Sequence, residues 1–431
     1  MPDIPKRTDV VVIGGGPAGS TAATLLAREG FEVVLLDKAK HPRNTVGESL
    51  IPHFWNFTDL VGATEAIAND GFMRKGGGIA FWGQRTRRIK FKDFGFTRPT
   101  LHVERDRFDN ILLRNSETHG VTVFEETTVT RVDGLEDGPI VHYRDPAGAE
   151  GSIQARYVVD GSGQSAVLSR QLGIREFDPN IRFTSLWGYY VGGDYLDVEG
   201  ERRPFAERFQ HPPVTVQSSF GDWGWTWHIV LRDTISVGVI LPPERLQAFK
   251  AEKDTKEAKF QGIVKTAPIV GDLLQDATYV GPFYGIRDYA YLPVRLAGGR
   301  WYLVGDAAAF VDPIASAGVP FGMYAGFLAA TSIAASMRRE DRADEYRERF
   351  CKLYGDRVAL FRLIATPSDA PGYVDMVEQA INALGNVGQE EQRLALTQAT
   401  LTSRSEGIDA LLGRLGVRLE PGFRELAFPG R

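Results

Sequence analysis

The chain has 431 residues, of which 43% are hydrophobic and 24% charged, with a formal net charge of −5. That balance suits an ordinary globular protein of two or three lobes and argues against nucleic acid as a partner, since there is no basic excess to meet a polyanion. One cysteine, Cys351, rules out an internal disulfide and a cysteine-built metal site, so the expectation is no metal and a cytoplasmic setting.

The N-terminal stretch MPDIPKRTDV is too short and polar for a signal peptide, because a strand begins at once. Val10, Val11, Val12 and Ile13 run into Gly14, Gly16 and Gly19, spaced G-x-G-x-x-G, with Pro17 and Ala18 between them and a helical stretch over 20–28 behind. Gly14 permits the tight turn, Gly16 lets backbone approach a pyrophosphate, and Gly19 lets the helix pack close on its strand. Phosphates would then face free N–H groups at a helix N-terminus. A second strand over 32–36 ends at Asp37 and Lys38, about 20 residues on, where an acid can grip a ribose 2′-OH. A dinucleotide is expected here.

A loop follows over 41–49, then a predicted helix over 55–68. Glycines return at Lys75-Gly76-Gly77-Gly78, with alternating residues over 79–91 that read as strands. A helix over 104–118 puts Phe108, Ile111 and Leu112 on one face. Short strands are expected over 121–132 and 140–143, and the run 155–159 ends in Asp160-Gly161. Strands over 215–220, 225–231 and 236–241 predict a second sheet. A buried strand over 300–304 ends in Gly305-Asp306, and helices follow over 319–338 and 344–364. The apolar run 307–337 is broken by Asp312, Pro313 and Pro320, so no transmembrane segment is expected. The tail beyond Pro367 reads as a helical extension.

The predicted class is α/β: a Rossmann-like lobe from 1–75, 100–180 and 280–340, a mainly antiparallel substrate lobe from 76–99 and 181–279, and a helical C-terminal region over 341–431. No second strand–GxGxxG–helix unit occurs, so a stable nicotinamide domain is missing.

Three distant segments end buried strands in small or acidic residues: the GGGPAG turn, Asp160-Gly161 and Gly305-Asp306. The set resembles the FAD-dependent monooxygenase superfamily with the para-hydroxybenzoate-hydroxylase fold. That resemblance implies FAD, with Asp306 at the ribityl chain and the helix after it (Pro313, Gly318, Val319) aimed at the flavin ring, where a positive dipole end stabilises charge on the reduced ring. It also places Arg43 and Arg105 near the phosphates, where an arginine is a natural partner, and Glu48 and Ser49 in the loop beside the flavin. The segments Pro42-Arg43-Asn44-Thr45-Val46-Gly47-Glu48-Ser49, Phe72-Met73-Arg74-Lys75 and the run from Gly305 to Ile314 narrow the likeness to flavin-dependent halogenases. In that family reduced FAD and O₂ give a C4a-hydroperoxide, halide attacks it, and hypohalous acid reaches a lysine whose position Lys75 occupies.

The sequence departs from the halogenase pattern twice. Trp225-Thr226-Trp227-His228-Ile229-Val230 keeps both tryptophans of W-x-W-x-I-P but not the proline, and Ala315-Ser316-Ala317-Gly318 keeps one hydroxyl of the turn that holds halide. Losing a donor from an anion cradle weakens it. These departures make hydroxylation of an electron-rich aromatic substrate, with a peptide-borne tryptophan among the candidates, the first reading. Halogenation of a phenol, pyrrole or indole through Lys75, Trp225, Trp227 and Ser316 is the alternative, and a geranylgeranyl-reductase-like enzyme a further one. The expected substrate is a free, carrier-bound or peptide aromatic, with electrons from a separate flavin reductase or transient NAD(P)H.

Overall fold

The computed structural model describes residues 3–365, except 83–84, 95, 178–181, 221–223, 288–289 and 311. The expected helical tail beyond Pro367 lies outside the described residues.

An eight-stranded sheet runs in the order Ala297–Gly298, Trp301–Leu303, Glu150–Asp160, Arg7–Ile13, Val33–Leu36, Thr122–Phe124, with Thr128–Asp133 and Ile140–Arg144 added beside Glu150–Asp160. The strands from Trp301–Leu303 to Thr122–Phe124 are parallel to their neighbours. Val10, Val11, Val12, Val158 and Val159 are fully buried, as expected where both faces of a parallel sheet are covered. Register sets Ile13 beside Asp160 and Asp160 beside Leu303, so the three turns singled out in the sequence emerge side by side at the carboxyl ends of neighbouring strands. Open α/β sheets bind ligands at that edge.

The glycines are explained by contact. A Cβ on Gly19 would run into the Gly14 carbonyl, and one on Gly14, whose φ is +98°, would strike Gly161. The helix Pro17–Arg28 therefore lies directly against its strand. Across it packs the 21-residue helix Gly318–Arg338, where a side chain on Gly326 would meet the backbone of Ala18 and Ala22. Gly318–Arg338 is long and apolar enough to cross a membrane by length and composition, but 83% of its most apolar window is buried inside the protein. It is a core helix.

A second eight-stranded sheet is mostly antiparallel, and its centre is Thr184–Val191, Ile235–Leu241, Gly224–Val230, Val214–Phe220 and Gly77–Trp82. Helix Lys256–Thr266 covers one face through Phe260, Ile263 and Val264. The other face carries Trp82, Trp187, Trp225 and Trp227 toward Val46, Phe310 and Ile314 of the first sheet's loops. Between the sheets, Met73–Lys75 pairs antiparallel with Thr100–His102, setting Met73 opposite His102 and Lys75 opposite Thr100.

Elements differ from expectation at their joints. The helix predicted over 55–68 is two, Phe54–Val61 and Thr64–Asn69, separated at Gly62, whose φ of +78° no helix tolerates. The strand over 155–159 starts earlier, at Glu150, because its outer half pairs with Ile140–Arg144.

Candidate functional site

At the glycine turn, helix Pro17–Arg28 has Gly16 as its N-cap and no side-chain cap, so its first amides are open to a ligand. Arg43 hangs over this point: its guanidinium lies 3.4 Å from where a Cβ on Gly16 would be, and it pairs loosely with Asp37 (4.0 Å) and Asp109 (3.6 Å). Asp37 is buried at the strand end, accepting from the Gly15 amide (2.6 Å) and the Ala39 amide (2.8 Å). Burial pushes its carboxyl up, but bonds from His41, Ala39 and Gly15 and the charge of Arg43 win and hold it below the usual range. Lys38 turns away to Ser165.

Other predicted residues serve the frame around that point. Asp160 spends both oxygens on the amides of Ser162 (3.0 Å) and Leu168 (2.7 Å), fixing the turn that holds Gly161 against Gly19. Arg105 is clamped by Asp109 through two bonds (2.8 and 3.0 Å) and holds the Val46 carbonyl at 2.6 Å, which positions the loop over 41–49. Asp306 is partly buried and accepts from Gln164 at 3.2 Å; desolvation raises its pKa against the pull of Gln164, Arg105 and Arg175.

Beyond it, Asp312 caps Ile314 in the short helical turn Pro313–Ala315, and Ser316 takes a left-handed φ of +54°. Helix Gly318–Arg338 begins there without a side-chain cap. The Gly318 and Val319 amides thus sit at a positive helix end, and Pro320 has no N–H to add.

The tandem tryptophans share one face, as alternation requires: their rings are 6.0 Å apart, and Trp82 stands 6.4 Å from Trp225. On the same face Gln217 donates to the Ile314 carbonyl, tying the sheet to the turn that holds Ser316. By the same alternation His228 points to the opposite face, where it is buried; neither ring nitrogen has a partner at full hydrogen-bond geometry among the described residues, and burial lowers its pKa to about 4.

Lys75 is buried at the end of its short strand. Its Nζ donates to Ser49 Oγ (2.7 Å) and the Leu50 carbonyl (3.0 Å) and lies 5.2 Å from the centre of the Phe91 ring. Burial lowers its pKa to about 7. Ser316 Oγ donates to the same Ser49 Oγ at 3.0 Å, so Lys75, Ser49 and Ser316 meet at one atom.

Glu48, next to Ser49, turns its carboxyl to Tyr189, whose hydroxyl donates at 2.8 Å. Burial raises its pKa to about 7 against the hydroxyls of Ser236 and Tyr189 and the charge of Arg105.

Two residues at this centre carry no sequence signal. Ser49 Oγ is 2.8 Å from Thr215 Oγ1, which is 2.8 Å from His102 Nε2, and His102 Nδ1 is 2.9 Å from the Val230 carbonyl. Thr215 reads as one more strand threonine and His102 as the residue before a helix start.

Two sheets with a strand-end nucleotide cradle, an uncapped helix aimed across it and an aromatic face opposite define a flavoprotein of the Rossmann-like FAD-binding class. Residues 7–189 match the FAD binding domain family. Over 335 residues the chain is 38% identical to a tryptophan 2-halogenase of Chondromyces crocatus, covering 77% of this chain and 62% of that protein. It is 34% identical over 356 residues to the flavin-dependent halogenase armH3 of Armillaria mellea, covering 78% and 69%. Among solved structures, the myxobacterial chondrochloren halogenase CndH superposes with a TM-score of 0.74 at 29% identity, over 95% of this chain and 97% of that one. The chain belongs to the flavin-dependent halogenase family.

It spans 62% and 66% of the length of the first two curated relatives it matches. The relatives carry halogenase names, and this reverses the order of readings drawn from the altered motifs, in which hydroxylation came first. FAD is the cofactor, and the residues fit it: a cradle that no Cβ could enter at Gly14 and Gly19, open amides at the helix start, and Arg43 beside them.

Proposed function

We propose that this protein is a flavin-dependent halogenase of an electron-rich aromatic ring. The observation that carries this reading is the convergence of Lys75 and Ser316 on Ser49, beside the tryptophan-lined face. FAD, reduced by a separate reductase or a transiently bound nicotinamide, supplies the oxidising equivalent from O₂ when bound.

In this reading the parallel-sheet lobe holds the cofactor. Gly14, Gly16, Pro17, Ala18 and Gly19 receive its pyrophosphate with Arg43, while Arg105, Asp160 and Gly161 hold the loops that shape the cradle. Gly318 and Val319 aim their amides at the ring. The antiparallel sheet holds the substrate: Trp225 and Trp227 wall it off from the flavin, and a phenol, pyrrole or indole, free, carrier-bound or within a peptide, is the fitting class. Lys75 hydrogen-bonds the electrophilic halogen species or carries it as a haloamine. An amine held near neutrality can do either, because its lone pair is free for part of the time. The single cysteine and acidic composition fit a cytoplasmic enzyme.

One observation favours the hydroxylase alternative: the single hydroxyl left in the turn, on Ser316, is engaged with Ser49. Mass spectrometry of products from reduced FAD, O₂, chloride or bromide and a panel of phenols, pyrroles and tryptophan peptides separates the two. A halogen isotope pattern is expected; oxygen insertion alone would overturn the proposal. Lys75→Met should lower halogenated product at least about 100-fold while flavin reoxidation stays within about twofold, the scale on which a positioned acid–base or nucleophilic group acts. Full halogenation by that variant would remove Lys75 from the chemistry.

A further inference from the structure

The hydrogen bonds around Lys75 have a direction that follows from counting donors and acceptors. The Val230 carbonyl can only accept, so His102 Nδ1 must carry the proton facing it. A neutral imidazole then has a bare Nε2, which accepts from Thr215. With its proton spent, Thr215 Oγ1 accepts from Ser49. Ser49 has now used its own proton, and its two lone pairs accept from Lys75 and Ser316. The Leu50 carbonyl, the second acceptor for Lys75, is filled by Lys75 and Thr100 Oγ1 at 3.0 Å.

With His102 neutral, the polar atoms along this run of bonds are thus satisfied in one orientation only. A neutral Lys75 donates its two N–H bonds and keeps a lone pair. A charged one has a third N–H with no acceptor among the described residues, only the Phe91 ring. Burial of His102, Thr215, Ser49, Thr100 and Lys75 makes a single orientation matter, because an unmade bond there costs more than in water.

We propose that His102 is a positioning residue: acting through Thr215 and Ser49, it fixes the orientation of the Lys75 amine and of the Ser316 hydroxyl. Protonating His102, or shifting it to the other tautomer, would reverse Thr215 and then Ser49, and Ser316 would change from donor to acceptor at that bond. His102 therefore governs whether the turn offers its hydroxyl proton to a bound anion. The groups that face this chain are few. Burial, the charge of Lys75 and His228 all disfavour the imidazolium, against the bond to Val230, and the Glu48 carboxyl points to Tyr189. The inference deepens the halogenase reading and rests on it for its consequence, but the hydrogen-bond chain can be tested without turnover.

The experiment uses the FAD-loaded full chain in two arms. In the first, ¹⁵N-histidine NMR, with His102 assigned by its loss in His102→Gln, reads the tautomer directly. The expected state is neutral with the proton on Nδ1; a proton on Nε2, or an imidazolium at pH 7, would overturn the proposal. In the second, product formation is compared for Thr215→Val, Thr215→Ser and His102→Gln. Valine keeps the shape and breaks the chain, so kcat should fall about tenfold with KM for the aromatic substrate unchanged. Serine, which restores the hydroxyl, should return kcat to within about twofold.

Glutamine can accept from Thr215 and donate to Val230 as neutral His102 does, so His102→Gln should also stay within about threefold. A valine variant as active as the serine variant would overturn the proposal. If wild type gives no halogenated product, the functional reading fails, while the NMR arm still decides the orientation.

Discussion

At the residue scale, two buried ionisable groups next to each other in the fold oppose one another in pH. Glu48 has its pKa raised to about 7 from the ordinary 4.5, first by burial. Unfolded, it loses its proton near pH 4.5; folded, it keeps it to about pH 7, so stability is lost as pH rises between those values and stays lost above. Lys75, lowered to about 7 from 10.5, works the other way: the unfolded chain binds the proton that the folded one has lost, so stability rises from pH 7 toward 10.5. Glu48→Gln removes only the first effect and keeps an oxygen for Tyr189. The variant should therefore match wild type in urea unfolding at pH 4.5 and exceed it at pH 8 by up to about 3 kcal/mol. A difference that is the same at both pH values would show that Glu48 does not titrate as the structure implies. Lys75 itself illustrates what a sequence withholds. Its candidacy is legible from the Phe-Met-Arg-Lys segment, but its burial depends on partners 25 and 26 residues away, and on a serine that in turn meets residues 166 and 267 positions off. No local pattern encodes that.

At the element scale, most strands and helices follow from periodicity, because each side of the parallel sheet is covered and each antiparallel strand alternates. The failures occur where backbone geometry overrides side-chain pattern, as at Gly62, and where strands are only three residues long. Met73–Lys75 and Thr100–His102 are such a pair, and they carry both ends of the hydrogen-bonded chain. The long helix Gly318–Arg338 is legible from its apolar run; its partner is not. A glycine in mid-helix normally costs about 1 kcal/mol relative to alanine, yet Gly326 is where backbone of the nucleotide-binding helix comes closest. Gly326→Val should accordingly destabilise, not stabilise, by about 3 kcal/mol, and should lower the flavin retained on purification, since Pro17–Arg28 is displaced with it. Thermal denaturation and the flavin-to-protein absorbance ratio check both; a melting temperature at or above that of wild type would mean the two helices are not seated as described.

At the scale of the whole molecule, the site exists only because two sheets face each other across loops from distant parts of the chain. The sequence shows the cofactor cradle plainly, since a strand, a glycine turn, a helix and an acid lie within one short stretch. It does not show the facing of the tryptophans toward Ile314, which depends on Gln217 reaching a carbonyl 97 residues on. In the proposed reading the cofactor would lie between the uncapped starts of Pro17–Arg28 and Gly318–Arg338. Because it contacts elements that the unfolded chain cannot assemble, FAD should stabilise the folded state by mass action, by about 2.7 kcal/mol at a free concentration 100 times its Kd. Melting temperature should therefore climb with the logarithm of FAD concentration. Arg43→Gln, which removes the cation beside Gly16 but leaves the Arg105 clamp intact, should shift that curve to higher FAD without flattening it. If the Arg43 variant and wild type give superimposable curves, the phosphates are held by the open amides alone; if wild type shows no dependence on FAD at all, the two helix ends do not converge on a common ligand.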